Sequence, residues 1–95
     1  MKEIKKANKY RKWERLVRGF SNHRRLQIME LLVENPEFSV IEISKALKIN
    51  FKTAADHIRR LAIAGLVLKR SDNTSVRHKL TDRGMSIMKF LRTLE

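Results

Sequence analysis

Residues 39 to 67, SVIEISKALKINFKTAADHIRRLAIAGLV, restrict this chain's fold more than any other segment. Two amphipathic patterns of helical period stand there with almost nothing between them. Ser39 and Glu42 have the form of a capping box, in which the hydroxyl takes an amide of the first turn and the carboxylate reaches back. Val40, Ile43 and Leu47 then mark one buried stripe. Asn50 is a good N-cap for the next helix, Ala54, Ile58 and Leu61 are its inward stripe, and Gly65 falls where a C′ residue belongs. After Gly65 the period changes from 3.6 to 2. Leu66 and Leu68, and later Val76 and Leu80, alternate with polar residues around the turn-forming tract RSDNTS. That is a hairpin with a polar tip, its inward positions being those four apolar residues and its outward ones including Lys69, Arg77 and Lys79.

The flanks are helical. Tyr10, Trp13, Val17 and Phe20 recur at i, i+3, i+7 and i+10, which predicts a helix from about Glu3 to Gly19. Ser21 or Asn22 caps a second helix with Leu26, Met29, Leu32 and Val33 inward, and Pro36 cannot continue it. Thr81 caps a last helix with Ile87, Phe90, Leu91 and Leu94 on one side. With 95 residues the chain is a single domain. It divides into a basic N-terminal helix (1–20), a helical core (21–65), a hairpin (66–80) and a C-terminal helix (81–95). The expected class is mainly α with a small β-hairpin: five helices and a two-stranded wing, a winged helix-turn-helix.

The charge pattern points to a polyanion. Lys and Arg number 22 against 10 acids, a formal charge of +12. Residues 1–25 carry ten cations and two acids, residues 26–50 two and four, and residues 51–95 ten and four. Two basic regions thus flank a slightly acidic middle, a costly arrangement for a compact chain without an anionic partner. There is no Cys, which removes disulfides, thiolate metal sites and Cys nucleophiles and suits a reducing cytoplasm. No apolar run approaches a membrane span, and the charged N-terminus lacks the apolar stretch of a secretory signal. Gly-rich phosphate loops, HExxH and Gly-x-Ser-x-Gly are all missing, so catalysis is not expected.

In a helix-turn-helix the second helix enters a DNA major groove, which is about 12 Å wide. Around the outward side of that helix lie Phe51, Lys52, Thr53, Ala55, Asp56, Arg59 and Arg60. Cations on a helix face often do no more than meet water. Position and global charge favour phosphate or guanine contacts for Lys52 and Arg59, while Arg60 lies nearer the packing side. Phe51 either touches a thymine methyl or shields the turn, and Thr53 either bonds a phosphate or sits near the helix start. Asp56 accepts from a cytosine amino group or, the better reading, orients Arg59 or Arg60. The wing offers Lys69, Arg70, Asn73, Thr74, Arg77 and Lys79 to the flanking backbone. His23, His57 and His78 are isolated in sequence and read as structural, with His57 partly packed; Met29, Met85 and Met88 read as core or interface filler. Lys5, Lys9 and Lys12, like Arg11, Arg15 and Arg18, recur at helical spacing. They are either solvated or laid against the DNA backbone beside the wing.

The stretches LVRGFSNHRRLQIMELL, SVIEISKALKINFKTAADHIRRLAIAGLVLKR and RHKLTDRG together resemble the arsenic-repressor-like (ArsR-like) winged-helix regulators of bacteria and archaea, over about residues 16 to 84. The resemblance implies a homodimer whose first and last helices pair the protomers and whose recognition helices face successive major grooves. Tyr10, Trp13, Val17, Phe20, Ile87, Phe90, Leu91 and Leu94 would form that interface. Metal-sensing relatives often carry a Cys pair before the turn, or acids and His in the last helix. FSVIEIS has no Cys and GMSIMKFLRTLE has neither Asp nor His, so metal sensing is not expected and no cofactor is. The expected function is that of a sequence-specific regulator on double-stranded DNA, dimeric on a near-palindromic operator, in the cytoplasm at the nucleoid, with no membrane partner and its small-molecule effector unknown. Two rivals stand beside it: a low-specificity architectural nucleic-acid binder, and a winged helix that binds another protein.

Overall fold

A computed structural model describes residues 7–95. The elements run α1 (Ala7–Phe20), α2 (His23–Glu34), α3 (Val40–Leu47), α4 (Phe51–Ile63), β1 (Val67–Ser71), β2 (Val76–Leu80) and α5 (Asp82–Arg92). This is the expected class, five helices and a two-stranded antiparallel wing. The expected start of the first helix at Glu3, and Lys5 within it, lie outside the described residues.

Helices α2 to α5 each begin where a capping side chain satisfies free amides of the first turn. Asn22, not Ser21, caps α2, its Oδ1 accepting from the amides of Arg24 and Arg25 at 2.9 and 3.1 Å. Ser39 and Glu42 form the complete capping box of α3. Asn50 accepts from Lys52 and Thr53 at the head of α4, and Thr81 accepts from Gly84 at the head of α5. A cap of this kind contributes about 1 kcal/mol. Between α3 and α4 the chain turns within three residues. Lys48 adopts φ 55°, and the Ile49 amide donates to Ser44 O at 3.0 Å.

The core is one cluster: Ile28, Met29 and Leu32 of α2, Ile43 of α3, Ile58 and Leu61 of α4, Leu66, Val67, Leu80, and Met88 of α5. Burial of each such side chain contributes about 1.5–3 kcal/mol. In α2 the fully buried positions are Ile28, Met29 and Leu32, while Leu26 and Val33 are only half-buried. The α2 stripe is thus rotated toward Ile28, because α2 packs against α3, α4, α5 and the hairpin together and not against one neighbour.

The hairpin phase also differs from expectation. Leu66 is buried, but Leu68 and Val76 are exposed, and Val67, His78 and Leu80 turn inward. Leu66 belongs to the turn after α4, so strand alternation starts one residue later, at Val67. The register Val67↔Leu80 and Lys69↔His78 then puts one apolar pair and His78 on the inner face. Lys69, expected outward, shares that face by register, though its own side chain stays exposed. Phe38, in the loop before α3, bridges to His78, and the Glu37 amide donates to His78 O at 2.7 Å. The wing is therefore pinned at its base to the α2–α3 loop.

One junction holds α4, β1 and α5 together. Gly65 adopts φ 77°, the left-handed conformation that Cβ disfavours. The Thr81 hydroxyl donates to Gly65 O at 2.7 Å, and the Thr81 amide donates to Leu66 O at 3.0 Å. Gly84 lies so close that a Cβ would stand 2.4 Å from Leu66 O and 3.2 Å from a Leu80 methyl. Because the first of these is backbone, Gly84→Ala forces α5 away from the strand. The helix-propensity gain of about 1 kcal/mol does not offset overpacking against a fixed carbonyl, of about 1–3 kcal/mol or more. The melting temperature is expected to fall by roughly 5–15 °C, followed by circular dichroism, while Ser86→Ala on the exposed side of α5 leaves it level or raised.

Candidate nucleic-acid interface

The face of α4 that does not pack on the core runs through Phe51, Lys52, Thr53, Asp56, Arg59 and Arg60. Phe51, Lys52, Thr53, Arg59 and Arg60 are exposed, Ala55 and Asp56 half-buried, and Ala54, Ile58 and Leu61 buried behind them. Nothing within the described residues covers this face.

The Asp56 carboxylate is engaged on both oxygens. Arg59 Nη2 donates to one at 2.8 Å and Arg60 Nε to the other at 3.0 Å. These two guanidinium groups, Arg59 first, hold the Asp56 carboxyl below the usual carboxylate range. The aspartate therefore positions the two arginines as a fork. All three side chains are about half exposed, so the pairs are weak and the arginines can exchange the carboxylate for another anion at little cost. Lys52 makes no ion pair among the described residues.

On the wing the cations fall into two groups. Arg70 pairs with Glu37 through Nε, at 2.6 Å, and through Nη2. Arg77 donates to Asp72 at 3.2 Å and to Glu37 O at 3.3 Å. Lys69 and Lys79 are exposed and unpaired among the described residues. At the tip Asp72 accepts from the amides of Thr74 and Ser75, both at 2.9 Å. Those two amides, and then Arg77, hold its carboxyl far below the usual range. Asn73 and Thr74 stand exposed on this fixed turn. The role of Glu37 as wing anchor was not apparent from the sequence. It is an isolated acid beside Pro36, and only the fold brings it to Arg70, 33 residues away.

Two of the three histidines are engaged within the fold. His23 is exposed at the start of α2. His57, half-buried, accepts from Arg25 Nε through Nδ1 at 3.2 Å. His78 is 1% exposed, and its Nδ1 donates to Phe38 O at 3.0 Å. Burial pushes both groups below the ordinary value of 6.5, reinforced by Arg25 at His57 and by Lys69 at His78, though the Phe38 bond acts the other way. The unfolded chain thus binds more protons here than the folded one. The stability these rings carry is full above about pH 6.5 and declines as pH falls through that value. Urea midpoints are expected to drop between pH 7.5 and 5.5, and to drop less in His78→Leu, which has no ring to titrate. A midpoint level across that range would rule the linkage out.

The apolar residues assigned to pairing split in two. Tyr10, Trp13, Val17, Phe90 and Leu94 are exposed, whereas Phe20, Ile87 and Leu91 are partly buried on the chain's own core. Tyr10 and Trp13 meet edge to face at 5.6 Å with Lys9 over the Trp13 ring. No three His, Cys, Asp or Glu side chains converge among the described residues. None of the described helices is long and apolar enough to cross a membrane.

The pattern that defines "Bacterial regulatory protein, arsR family" matches residues 22–69. The chain is 32% identical over 87 residues to an uncharacterized HTH-type transcriptional regulator of Methanocaldococcus jannaschii, spanning 90% of this chain and 98% of that one. In structure it is similar to the homodimeric winged helix-turn-helix DNA-binding domain of Mb0332 from Mycobacterium bovis, a possible ArsR-family regulator. There the TM-score is 0.82 at 26% identity, over 99% of this chain and 86% of that one. HlyU of Vibrio cholerae superposes with a TM-score of 0.79 at 30% identity, over 94% and 96% of the two chains. NolR of Sinorhizobium fredii shares the fold, with a TM-score of 0.87 at 20% identity over 99% and 94%.

Proposed function

From the premise that this chain belongs to the arsR family of bacterial regulatory proteins, winged helix-turn-helix transcription regulators and not enzymes, we propose that it binds double-stranded DNA with sequence preference, as a homodimer on a two-fold symmetric operator. The observation that carries this reading is the uncovered cationic face of α4, seated behind a three-residue turn on a buried stripe. Lys52 lies near the head of α4, where recognition helices meet base edges. Arg59, held out by Asp56, reaches a guanine edge or a phosphate, and Arg60 reaches the backbone. Phe51 and Thr53 flank the entry, and Ala55 lets the helix approach the bases closely. Lys69 and Lys79 hold the adjacent phosphates, with Asn73 and Thr74 at the wing tip. Arg70 and Arg77, already paired inside the wing, act mainly by fixing its angle. The homodimeric state of the Mycobacterium bovis domain, with Tyr10, Trp13 and Val17 exposed on α1, Phe90 on α5 and Leu94 just after it, supports pairing through those helices. Such a regulator works in the cytoplasm, at the nucleoid.

Selection of bound duplexes from a random pool tests the reading. Enrichment of an inverted repeat with half-sites about 34 Å apart, or a multiple, is expected. A pool that stays random after repeated rounds overturns sequence preference. One observation favours the second reading, a low-specificity architectural binder. Asp56 is taken up by arginines and Ala54 and Ala55 have no polar side-chain atoms, so few groups on α4 read base edges. Equal affinity for a selected duplex and for random DNA at fixed salt would establish that alternative.

A further inference from the structure

On the side of α4 that faces α1, a groove of about 780 Å³ opens beyond the end of the cationic face. Its walls come from four helices. Lys12, Arg15 and Arg18 stand on α1, Arg59 and Arg60 on α4, Arg25 on α2 and Arg83 at the start of α5; no carboxylate lines it. The site is built in two respects. Arg25 is locked by bonds to Arg18 O, Gly19 O and His57 at 3.1–3.2 Å. The α1 and α4 backbones meet so closely at Gly19 that a Cβ there would stand 2.5 Å from the Ala64 methyl. The groove is therefore formed by a fixed helix crossing. Arg15 and Lys12 are unpaired among the described residues, and Arg83 lies over Gly65, also without an acid. Arg59 and Arg60 are held by Asp56 and Arg18 by Glu14, all in exposed pairs, while Lys12, Arg15, Arg25 and Arg83 have no acid among the described residues; such charges around one cavity are mutually unfavourable unless an anion joins them. The shelf is apolar, with Leu16 and a 74% exposed Ile63.

We propose that this groove binds a phosphorylated small molecule carrying several negative charges, of the nucleoside polyphosphate class. The phosphates lie among the guanidinium groups and the organic part on the Leu16–Ile63 shelf. The volume falls within the range of about 300–1,000 Å³ usual for such ligands. Arg59 and Arg60 belong to the groove and to the α4 face at once, and their hold on Asp56 is weak. A polyanion that draws them inward takes cations from the DNA face. The ligand and DNA thus oppose one another, equally in both directions; this last step rests on the DNA-binding reading above, whereas the site itself does not.

The chain's single Trp, Trp13, stands at the edge of the groove and is the reporter. Fluorescence and calorimetric titrations with ATP, inorganic tripolyphosphate and adenosine would be run at 150 mM salt. Three proteins are compared: the unaltered protein, Arg15→Ala with Arg83→Ala, and Lys69→Ala with Lys79→Ala. The last removes the same charge from the wing. ATP is expected to bind the unaltered protein at least tenfold more tightly than the groove variant, and within twofold of the wing variant. Tripolyphosphate binding as tightly as ATP would identify free condensed phosphate, not a nucleotide, as the ligand, and so overturn the assignment of class. Equal losses in the two variants, or no saturable binding at that salt, would overturn the site. Saturating ATP is then expected to weaken duplex binding at least fivefold in the unaltered protein and not in the groove variant. ATP binding without any effect on duplex affinity would overturn the antagonism. A protein that binds ATP and no duplex at any salt would sink the DNA reading and leave the site standing.

Discussion

Raising the salt from 50 to 200 mM is expected to loosen the proposed dimer's hold on a duplex enriched by selection by about 10³–10⁵-fold. The α4 face and wing together offer three unpaired cations per protomer among the described residues, Lys52, Lys69 and Lys79, and two more, Arg59 and Arg60, that Asp56 holds only weakly. Six to ten phosphates neutralised by a dimer give a plot of log affinity against log salt with a slope of roughly −5 to −9, at about −0.9 per contact. The structure refines this beyond a count of charges. Lys69→Ala is expected to make the slope shallower by about one contact per protomer. Arg70→Ala is expected to change it by less, since that guanidinium must first give up Glu37, which it holds through both Nε and Nη2, before it meets a phosphate. Affinity measured by anisotropy at four or more salt concentrations decides it. A slope near −2, or equal effects of Lys69→Ala and Arg70→Ala, would contradict the division of the wing into free and internally paired cations.

Much of the fold was legible because its signals are local. The Ser39–Glu42 box, the Asn50 cap and the Ala54–Ile58–Leu61 stripe are statements about neighbours three or four residues apart, and all three stand in the structure. The motifs AGLV and LTDRG were legible as a pattern before their reason was. Gly65 takes a positive φ, and Gly84 and Thr81 both meet the backbone at Gly65 and Leu66, so the two distant motifs are halves of one junction. What failed was the strand phase. Leu66 and Leu68 look like alternating inward residues, yet alternation begins at Val67, because Leu66 is spent on the turn. On β2 the phase held: Leu80 is buried, and period 2 puts His78 on the same face, where it bonds to Phe38, 40 residues away. The same limit applies to charge. Sequence places Arg70, Arg77, Lys69 and Lys79 together as a cationic wing, and only tertiary contact with Glu37 and a turn closed on Asp72 separate the four into two kinds.

Val17→Asp combined with Phe90→Asp is expected to yield a monomer that still folds but binds the full operator about 10²–10⁴-fold more weakly. Leu16 and Phe20 of α1, and Ile87 and Leu91 of α5, pack against the chain's own core, while Tyr10, Trp13, Val17, Phe90 and Leu94 are left outside it. The two helices thus turn one side inward and leave the other uncovered. A carboxylate at an exposed position costs the monomer little, because it stays in water. The same carboxylate buried across an apolar interface is penalised heavily unless it finds a partner. Loss of the second protomer removes the intramolecular second contact that makes a two-fold site bind tightly, without touching a single residue of α4 or the wing. Light scattering gives the mass, circular dichroism the fold, and anisotropy the affinity for a full site and for a half-site. Half-site affinity is expected to be unchanged between the two proteins, which separates lost pairing from a damaged DNA face. A variant that remains a dimer would show that these helices do not form the interface, and a monomer that binds the full site as tightly as the unaltered protein would show that pairing is not what holds it there.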